Sequence, residues 1–194
     1  DDGVIESMVA TARAKFGGAT READLVVLNA GRGLNGSVLT SDPAQWEDVV
    51  RTNVMGCAKL LRAAGTRMAR EAAGGGEWTK SPRDLIVLGS VVGRHVSPFS
   101  SMYGSTKFAV HGMGEGVRRE LGPKGVRVSL VEPGFVVSEF QGVAGYQEEW
   151  VKSMFDKIGP VLTPEDVARS ITFIASQPAA VHVSDLLLRP TRQE

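Results

Sequence analysis

Two residues four positions apart in the stretch YGSTK have side chains that together can transfer a proton. Tyr103 and Lys107 lie in a predicted helix, where residues i and i+4 share one face with Cβ atoms about 5–6 Å apart. A free phenol has a pKa of about 10, and a nearby ammonium lowers that pKa by favouring the phenolate. A tyrosine with a lowered pKa can exchange a proton with an alcohol oxygen. Taken alone, the spacing is more often that of an ordinary surface pair.

Two further polar residues accompany this pair. Ser90 comes just after the apolar run 85–88, and the loop that leads from it to Tyr103 can bring its hydroxyl over the start of the helix. Asn53 lies in another helical pattern, in the stretch RTNVMG, where an asparagine is usually a solvated surface residue. The meaning of these side chains therefore depends on whether the fold brings them together.

The pattern of apolar residues predicts alternating helices and short buried strands. The strands are four apolar runs at residues 25–28, 85–88, 126–131 and 186–188. The helices are predicted at residues 2–16, 43–72, 103–121, 142–158 and 163–176. Gly17 and Gly18 are predicted to end the first helix. This alternation within 194 residues predicts a single α/β domain with a parallel sheet and right-handed crossovers.

Ligands of such open sheets bind beyond the carboxyl ends of the strands. Residues 29–31 (NAG) follow the first strand, residues 89–90 (GS) follow the second, and residues 133–134 (PG) follow the third. Because the carboxyl ends of parallel strands meet at one edge, a carboxamide, a hydroxyl and several glycines are expected there together. This edge is the predicted site.

The stretch GRGLNG at residues 31–36 matches the G-x-G-x-x-G pattern that binds dinucleotide phosphates, but its surroundings do not fit. In that fingerprint a helix opens directly on the glycines, and an acidic residue follows about 20 positions later. Here the next helix begins only at Pro43, with Ser41 or Asp42 as N-cap, and the expected acidic position falls in the helical pattern 51–56. We therefore predict that these glycines do not bind the pyrophosphate.

The composition argues against several classes of partner. The 22 lysines and arginines balance 22 aspartates and glutamates, so neither a nucleic acid nor an acidic lipid surface is expected to bind. No apolar run is long enough to span a membrane, and His95, His111 and His182 lack metal-ligand spacing. The single cysteine, Cys57, is expected to be an inert core residue in a reducing compartment. These features predict a soluble, cytoplasmic protein without a metal site.

In their order and spacing, these motifs resemble the short-chain dehydrogenase/reductase family, in its short single-domain branch. LNAG at 28–31 resembles the family's NNAG element, with Leu28 in place of the first asparagine, and GSVVG at 89–93 resembles its serine motif. YGSTK at 103–107 resembles the YxxxK motif, and EPGFVVSEF at 132–140 resembles the PG motif. The resemblance covers essentially the whole chain. It implies a Rossmann-like, doubly wound parallel sheet with helices on both faces, represented from the helix before the family's fourth strand onward.

The resemblance also implies a catalytic tetrad of Asn53, Ser90, Tyr103 and Lys107. Tyr103 is then the general acid/base, and Ser90 hydrogen-bonds the reacting oxygen. Lys107 lowers the pKa of Tyr103 and holds the nicotinamide ribose, while Asn53 fixes a water that links Lys107 to solvent. The implied reaction is hydride transfer between a nicotinamide cofactor and a secondary alcohol or its carbonyl partner, with a 3-hydroxy acid as one candidate substrate.

The cofactor implied by the resemblance is NADP or NAD, with NADP favoured. Its binding residues, matched by position, are Asn29, Ala30, Gly31, Tyr103, Lys107, Pro133, Gly134, Val136 and Ser138. Val136 would offer backbone groups to the carboxamide, and Ser138 would stand near the phosphates. Gly31 would close the NAG turn against the cofactor, which leaves Gly33 and Gly36 as loop glycines that lead toward the substrate.

Residues 141–160 match the family's substrate lid. The apolar side chains predicted to cover the substrate are Phe140, Val143, Tyr146, Trp150, Met154 and Phe155. Equally, these side chains could pack on the core or on a neighbouring subunit. The resemblance further implies a homodimer or homotetramer that assembles through the two long helices, 43–72 and 103–121.

One family element is absent from the sequence, namely the TGxxxGxG motif after the family's first strand. We expect the missing strands and helices to exist as a further N-terminal part, and the alternative is a processed fragment that binds cofactor poorly. The matching functional alternative is a non-catalytic binding or scaffold protein with an incomplete cofactor site. An epimerase or dehydratase with the same tyrosine and lysine is disfavoured, because such relatives carry a longer region after the tyrosine.

Overall fold

The computed structural model describes residues 2–16, 23–74 and 77–194, and its strands form one parallel sheet. The strands are β1 (Leu25–Leu28), β2 (Arg83–Leu88), β3 (Val126–Pro133) and β4 (Asp185–Leu188), in the order β1-β2-β3-β4. Val27 is aligned with Ile86, and Ile86 with Ser129. Each strand lies beside its neighbour in the chain, as expected where helices connect successive parallel strands. The predicted parallel sheet is confirmed.

Helices cover both faces of this sheet. They are α1 (Asp2–Phe16), α2 (Trp46–Val50), α3 (Cys57–Ala73), α4 (Ser101–Leu121), α5 (Phe140–Val143), α6 (Glu148–Ile158) and α7 (Pro164–Ala175). On one face, Met68 of α3 and Val110 of α4 are buried with Leu85 of β2. On the other face, Ile174 of α7 is buried with Val131 of β3. The predicted end of the first helix at residues 17–18 lies outside the described residues.

The segment predicted as one helix over 43–72 is helical throughout but changes type along its length. A 3-10 turn, Pro43–Gln45, is capped by Asp42, whose side chain accepts from the N–H of Ala44 at 3.0 Å. It leads into α2, then into a π-helical segment, Arg51–Gly56, and then into α3. Single π turns inside α-helices are frequent at functional sites, and this one contains Asn53.

The prediction of one helix over 142–158 is wrong. The structure has the short helix α5 and the separate helix α6, with Gly145 between them at φ +81°. This left-handed backbone conformation favours glycine and ends a helix. The loop after β1 holds the break in place, because Asn35 donates through its N–H to the Ala144 oxygen at 2.8 Å and through Nδ2 to the Gly145 oxygen at 3.2 Å.

A buried ion pair joins β2 and β3 at their amino-terminal ends. Arg127 donates through Nε and Nη2 to the two carboxylate oxygens of Asp84, each at 2.7 Å, and both side chains are 6% exposed. Nη1 of Arg127 also donates to the backbone oxygen of Gln177 at 2.9 Å. This pair therefore ties two strands to the segment after α7.

Candidate active site

The carboxyl ends of the strands open into one cavity of about 1100 Å³. Small-molecule and cofactor pockets usually measure ~300–1,000 Å³, so this space is large enough for a cofactor-sized ligand. Ser90, Tyr103 and Lys107 of the predicted catalytic set line it. The predicted cofactor-binding residues that line it are Asn29, Gly31, Tyr103, Lys107, Pro133, Gly134, Val136 and Ser138. Asn53 and Ala30 are not among its lining residues.

Tyr103 and Ser90 form a pair of hydroxyls at the wall of the cavity. The Tyr103 phenol lies near the Ser90 side chain, and both residues are 9% exposed. Burial raises the pKa of Tyr103 well above its ordinary value, and the nearby Ser90 hydroxyl offsets part of this rise. The phenol is therefore protonated at neutral pH and can donate to a ligand oxygen beside Ser90.

Lys107 follows Tyr103 by one helical turn, and its ammonium is buried. Nζ donates to the backbone oxygen of Leu88 at 2.8 Å and lies 5.9 Å from the centre of the Tyr103 ring. Burial lowers the pKa of Lys107 to about 8. The net shift of the Tyr103 pKa is upward, so in this structure burial outweighs the lowering expected from the lysine.

Asn53 links the loop after β1 to α4. Its Oδ1 accepts from the Arg32 N–H at 2.8 Å, and its Nδ2 donates to the Arg32 oxygen at 2.9 Å. Nδ2 also donates to Thr106 Oγ1 at 2.9 Å, and that hydroxyl donates to the backbone oxygen of Tyr103 at 2.7 Å. The asparagine is 2% exposed. Its side chain therefore holds the NAG loop in register with the helix that carries the tyrosine.

The glycines of GRGLNG have three different environments. Gly31 faces the catalytic residues, since a Cβ there would lie 3.7 Å from Lys107 Nζ. At Gly33 a Cβ would lie 2.6 Å from Phe140, so glycine lets α5 pack on this loop. Gly36 has φ +93°, in the left-handed region. Gly33 and Gly36 are thus loop glycines, as the sequence predicts.

The turn after β3 is braced by nearby side chains. The Val136 oxygen accepts from Gln141 Nε2 at 2.7 Å, and Ser138 Oγ accepts from the Phe140 N–H at 3.3 Å. Val136 also forms a bridge to Leu162. These contacts fix the turn before any ligand is present, so Val136 and Ser138 combine a structural role with their place in the cavity wall.

The Ser90 hydroxyl lies where two backbone segments meet. Ser90 is the N-cap of a 3-10 turn, Val91–Gly93, and its Oγ accepts from the Val92 N–H at 3.4 Å. The same Oγ donates to the Pro133 oxygen at 3.5 Å. The backbone N–H of Ser90 donates to Nε2 of His111 on α4 at 3.2 Å. The serine is therefore held from both sides.

The predicted lid segment, 141–160, supplies part of one wall. The predicted lid residues that line the cavity are Phe140, Tyr146, Trp150 and Met154. Val143 is 60% exposed, and Phe155 packs edge-on against Phe135 with ring centres 6.0 Å apart. The lid residues are thus divided between the cavity, the surface and contacts with the turn after β3.

Several lining residues were not predicted to be site residues, because no motif gives them a role, although Val91, Val92 and Phe135 lie inside the serine and PG motifs and Lys157 lies in the predicted lid segment. They are Val91, Val92, Phe99, Phe135, Lys157, Val167, Ile171 and Gln193. Most of them are apolar. Among the described residues that line the cavity, Lys107 and Lys157 carry the charge.

The donor set fits the nicotinamide end of a dinucleotide. Pro133 and Val136 offer apolar surface for the ring, while Lys107 and Asn29 offer donors for ribose hydroxyls. No group of three histidine, cysteine, aspartate or glutamate side chains within the described ranges is placed to hold a metal ion. No helix in those ranges is both long enough and apolar enough to cross a membrane.

Comparisons with known proteins show what this chain is similar to. A model of the short chain dehydrogenase family matches residues 1–149. An uncharacterized oxidoreductase of Staphylococcus aureus (strain MW2) is 27% identical over 186 residues, which is 96% of this chain and 71% of that protein. The closed form of serine dehydrogenase complexed with NADP+ superimposes with a TM-score of 0.81 at 26% identity, over 100% of this chain and 74% of that one. ElxO with NADP bound gives a TM-score of 0.76 at 25% identity, over 96% and 72%.

Proposed function

The chain belongs to the short chain dehydrogenase family, and we propose that it is an NAD(P)-dependent oxidoreductase that interconverts a secondary alcohol and a carbonyl compound. The observation that carries this proposal is that the Tyr103 and Ser90 hydroxyls lie near each other at the cavity wall, with the Lys107 ammonium 5.9 Å from the tyrosine ring. Two hydroxyls so placed can bind one ligand oxygen, and one of them can pass a proton to it.

In the reducing direction Tyr103 is the general acid. Its raised pKa keeps the proton on the phenol at neutral pH, which is the form that a carbonyl oxygen needs. Ser90 donates its own hydrogen bond to the same oxygen and so orients it. A bound nicotinamide cofactor supplies the hydride, or accepts it in the oxidising direction.

Lys107 stabilises the phenolate that remains after proton transfer. With a pKa of about 8, this lysine is largely an ammonium near neutral pH. In a buried site an ammonium within ~6 Å favours the charged form of the phenol. In the oxidising direction the phenolate removes the alcohol proton, so oxidation gains more than reduction from a rise in pH.

The cofactor we propose is NADP, with NAD as the alternative. The support is that solved structures of two relatives, serine dehydrogenase and ElxO, contain NADP. In this chain Tyr103, Lys107, Pro133 and Val136 would hold the nicotinamide end, and Asn29 and Gly31 would follow it along the edge of the sheet.

The cavity favours a substrate with an apolar body beside the reacting oxygen. Phe99, Tyr146, Trp150 and Met154 provide that surface. A 3-hydroxy acid is the second candidate, because Lys157 of α6 lines the same cavity and can pair with a carboxylate. Serine, the substrate named for the structural relative, is itself a 3-hydroxy acid.

We also propose that the protein is a homo-oligomer that assembles through α3 and α4. The support is the solvent face of α4, where Phe108 is 42% exposed. A side chain built on Gly112 or Gly116 would meet open space, so nothing in the described chain covers this face. Small residues beside an exposed aromatic ring allow a close approach of a second helix.

A cofactor titration followed by a substrate panel tests the function. NADPH and NADH are titrated against tryptophan fluorescence, and nicotinamide consumption is then followed with apolar ketones, aldehydes and 3-oxo acids. We expect saturable binding and turnover with an apolar ketone. Absence of binding by both cofactors would overturn the oxidoreductase proposal and favour the non-catalytic alternative.

A further inference from the structure

His111 touches the loop that carries Ser90, although nothing in the proposed chemistry uses it. It lies one helical turn beyond Lys107 on α4, and its Nε2 accepts the hydrogen bond of the Ser90 N–H at 3.2 Å. An imidazole nitrogen that accepts a hydrogen bond carries no proton. The contact therefore requires the neutral ring with its proton on Nδ1.

Two glycines of the same loop close on this ring. A Cβ on Gly93 would lie 2.5 Å from the imidazole Cε1 and Nε2, which is closer than real side chains approach. A Cβ on Gly89 would overlap with Nε2 as well. Because Gly89 and Gly93 lack side chains, the loop can pack closely around the imidazole. A change in the hydrogen bonding of the ring must therefore move Ser90.

Four charged groups face the imidazole. Glu132 of β3 and Asp185 of β4 favour its protonation, whereas Lys107 of α4 and Arg94 of the loop oppose it. Glu132 is fully buried and receives two hydrogen bonds from Arg94, one of them from Nη2 at 2.7 Å. Arg94 also lies 3.3 Å from Asp185. Burial is the largest influence and lowers the pKa of His111.

We propose that His111 is a positioning residue that fixes Ser90 while its imidazole is neutral and releases the serine loop when Nε2 is protonated. Protonation turns the acceptor into a donor, and two N–H groups then face each other across the contact. The catalytic consequence rests on the proposed oxidoreductase function. The response of the loop is a property of the fold and is measurable without turnover.

The proposal predicts that activity falls at low pH because Ser90 is displaced. This fall is the acid limit to activity. Below the pKa of His111 the hydroxyl that orients the substrate oxygen is displaced, and a displacement of about 1 Å can cost about 100-fold in rate. Above that pKa the loop is fixed and the limit disappears. Binding of the cofactor is affected little, because Pro133, Val136 and Lys107 keep their places.

Two substitutions separate the hydrogen bond from the shape of the ring. His111→Phe keeps a flat ring but removes the acceptor, and we expect kcat to fall about 10- to 100-fold with the cofactor Kd within about twofold. His111→Gln places an amide oxygen near the position of Nε2 and does not titrate. We expect it to restore kcat to within about fivefold and to remove the acid limit. Unchanged kcat in H111F, or an acid limit that persists in H111Q, would overturn the proposal.

Nitrogen NMR of the unaltered protein provides a measurement that needs no substrate. Nε2 of His111 should be unprotonated at neutral pH and should titrate below the ordinary value of about 6.5. The Ser90 amide resonance should move with the same midpoint and should not move in H111Q. If the Ser90 amide resonance does not move as His111 titrates, the proposal is overturned. A coupled titration in a protein that binds neither cofactor would support it while overturning the proposed function.

Discussion

The backbone N–H of Phe135 donates to the carboxamide oxygen of Gln193 at 2.9 Å, which joins the segment after β4 to the turn after β3. The same oxygen fills the space where a side chain on Gly134 would begin, so this approach requires glycine. Phe135 packs in turn on α6, with ring centres 6.2 Å from Trp150 and 6.0 Å from Phe155. One carboxamide therefore holds both the turn and the helix that lines the cavity.

Replacement of Gln193 by leucine should loosen α6. The change removes the acceptor for the Phe135 N–H, and one such hydrogen bond contributes about 1 kcal/mol. In a background where Trp46 and Trp78 are replaced by phenylalanine, Trp150 is the remaining tryptophan. Its fluorescence should become more accessible to acrylamide in the leucine variant. The matched control is Gln193→Glu, which keeps an acceptor oxygen, and equal quenching in all three proteins would contradict the prediction.

Removal of the Tyr103 hydroxyl should abolish most turnover. Tyr103→Phe deletes the proton donor but keeps the ring, which packs on Phe140 with centres 5.6 Å apart. General acids contribute ~10²–10⁴-fold, so steady-state kinetics should show kcat reduced at least about 100-fold with the cofactor Kd nearly unchanged. Tyr146→Phe removes the other phenol of the chain and should cost less than about tenfold. If the two variants retain equal activity, Tyr103 is not the acid.

Stability should rise with pH in the alkaline range because of Lys107. Its pKa is lowered to about 8 in the folded protein, against about 10.4 in an unfolded chain. Above about pH 9 the buried Cys57 thiol, whose pKa is raised to about 11, makes the opposite contribution. From about pH 8 to about pH 9 the unfolded state binds more protons at Lys107, so the free energy of unfolding increases with pH by at most about 1.4 kcal/mol per unit. Urea titrations across this window should show the rise. Lys107→Met should abolish it, and an identical slope in the variant would contradict the assignment.

Loss of the Asn53 side chain should destabilise the protein. Asn53→Leu leaves the N–H and oxygen of Arg32 without their partners, and an unsatisfied buried group costs about 1–3 kcal/mol. Thr106→Val removes one further contact of the same network, so the two changes together should cost less than their sum. Urea unfolding measures both. As a control, Asn35→Ala removes an exposed amide contact and should have a much smaller effect.

The Arg127–Asp84 pair should tolerate joint replacement better than the loss of one partner. Arg127→Met leaves a buried carboxylate uncompensated and should cost about 3–5 kcal/mol, whereas the double change with Asp84→Leu should recover most of that loss. Thermal unfolding compares the single and double variants. Arg169→Ala, which removes the exposed pair with Asp166, is the control and should leave Tm nearly unchanged. A double variant as unstable as Arg127→Met would contradict this account.

The strand positions and the residues at the strand ends could be predicted because they follow from the local pattern of apolar and polar residues. Short apolar runs bounded by small and polar residues can be buried on both faces of a parallel sheet, so the order of the strands fixed where residues 29–31, 89–90 and 133–134 would meet. Tyr103 and Lys107 lie one turn apart in any helix. The break at Gly145 was not predictable, since the contacts of Asn35 that hold it come from a loop far away in the chain.

By itself the sequence determined which chemical groups stand at the strand ends and in which order, because types and spacings are properties of neighbouring residues. The tertiary structure decided their state. Burial, and not the nearby lysine, sets the direction of the Tyr103 pKa, and His111 and Gln193 acquire their partners only when α4 and the segment after β4 pack on the sheet. Desolvation and long-range hydrogen bonds depend on atoms that the chain brings together from distant positions, and no local pattern encodes them.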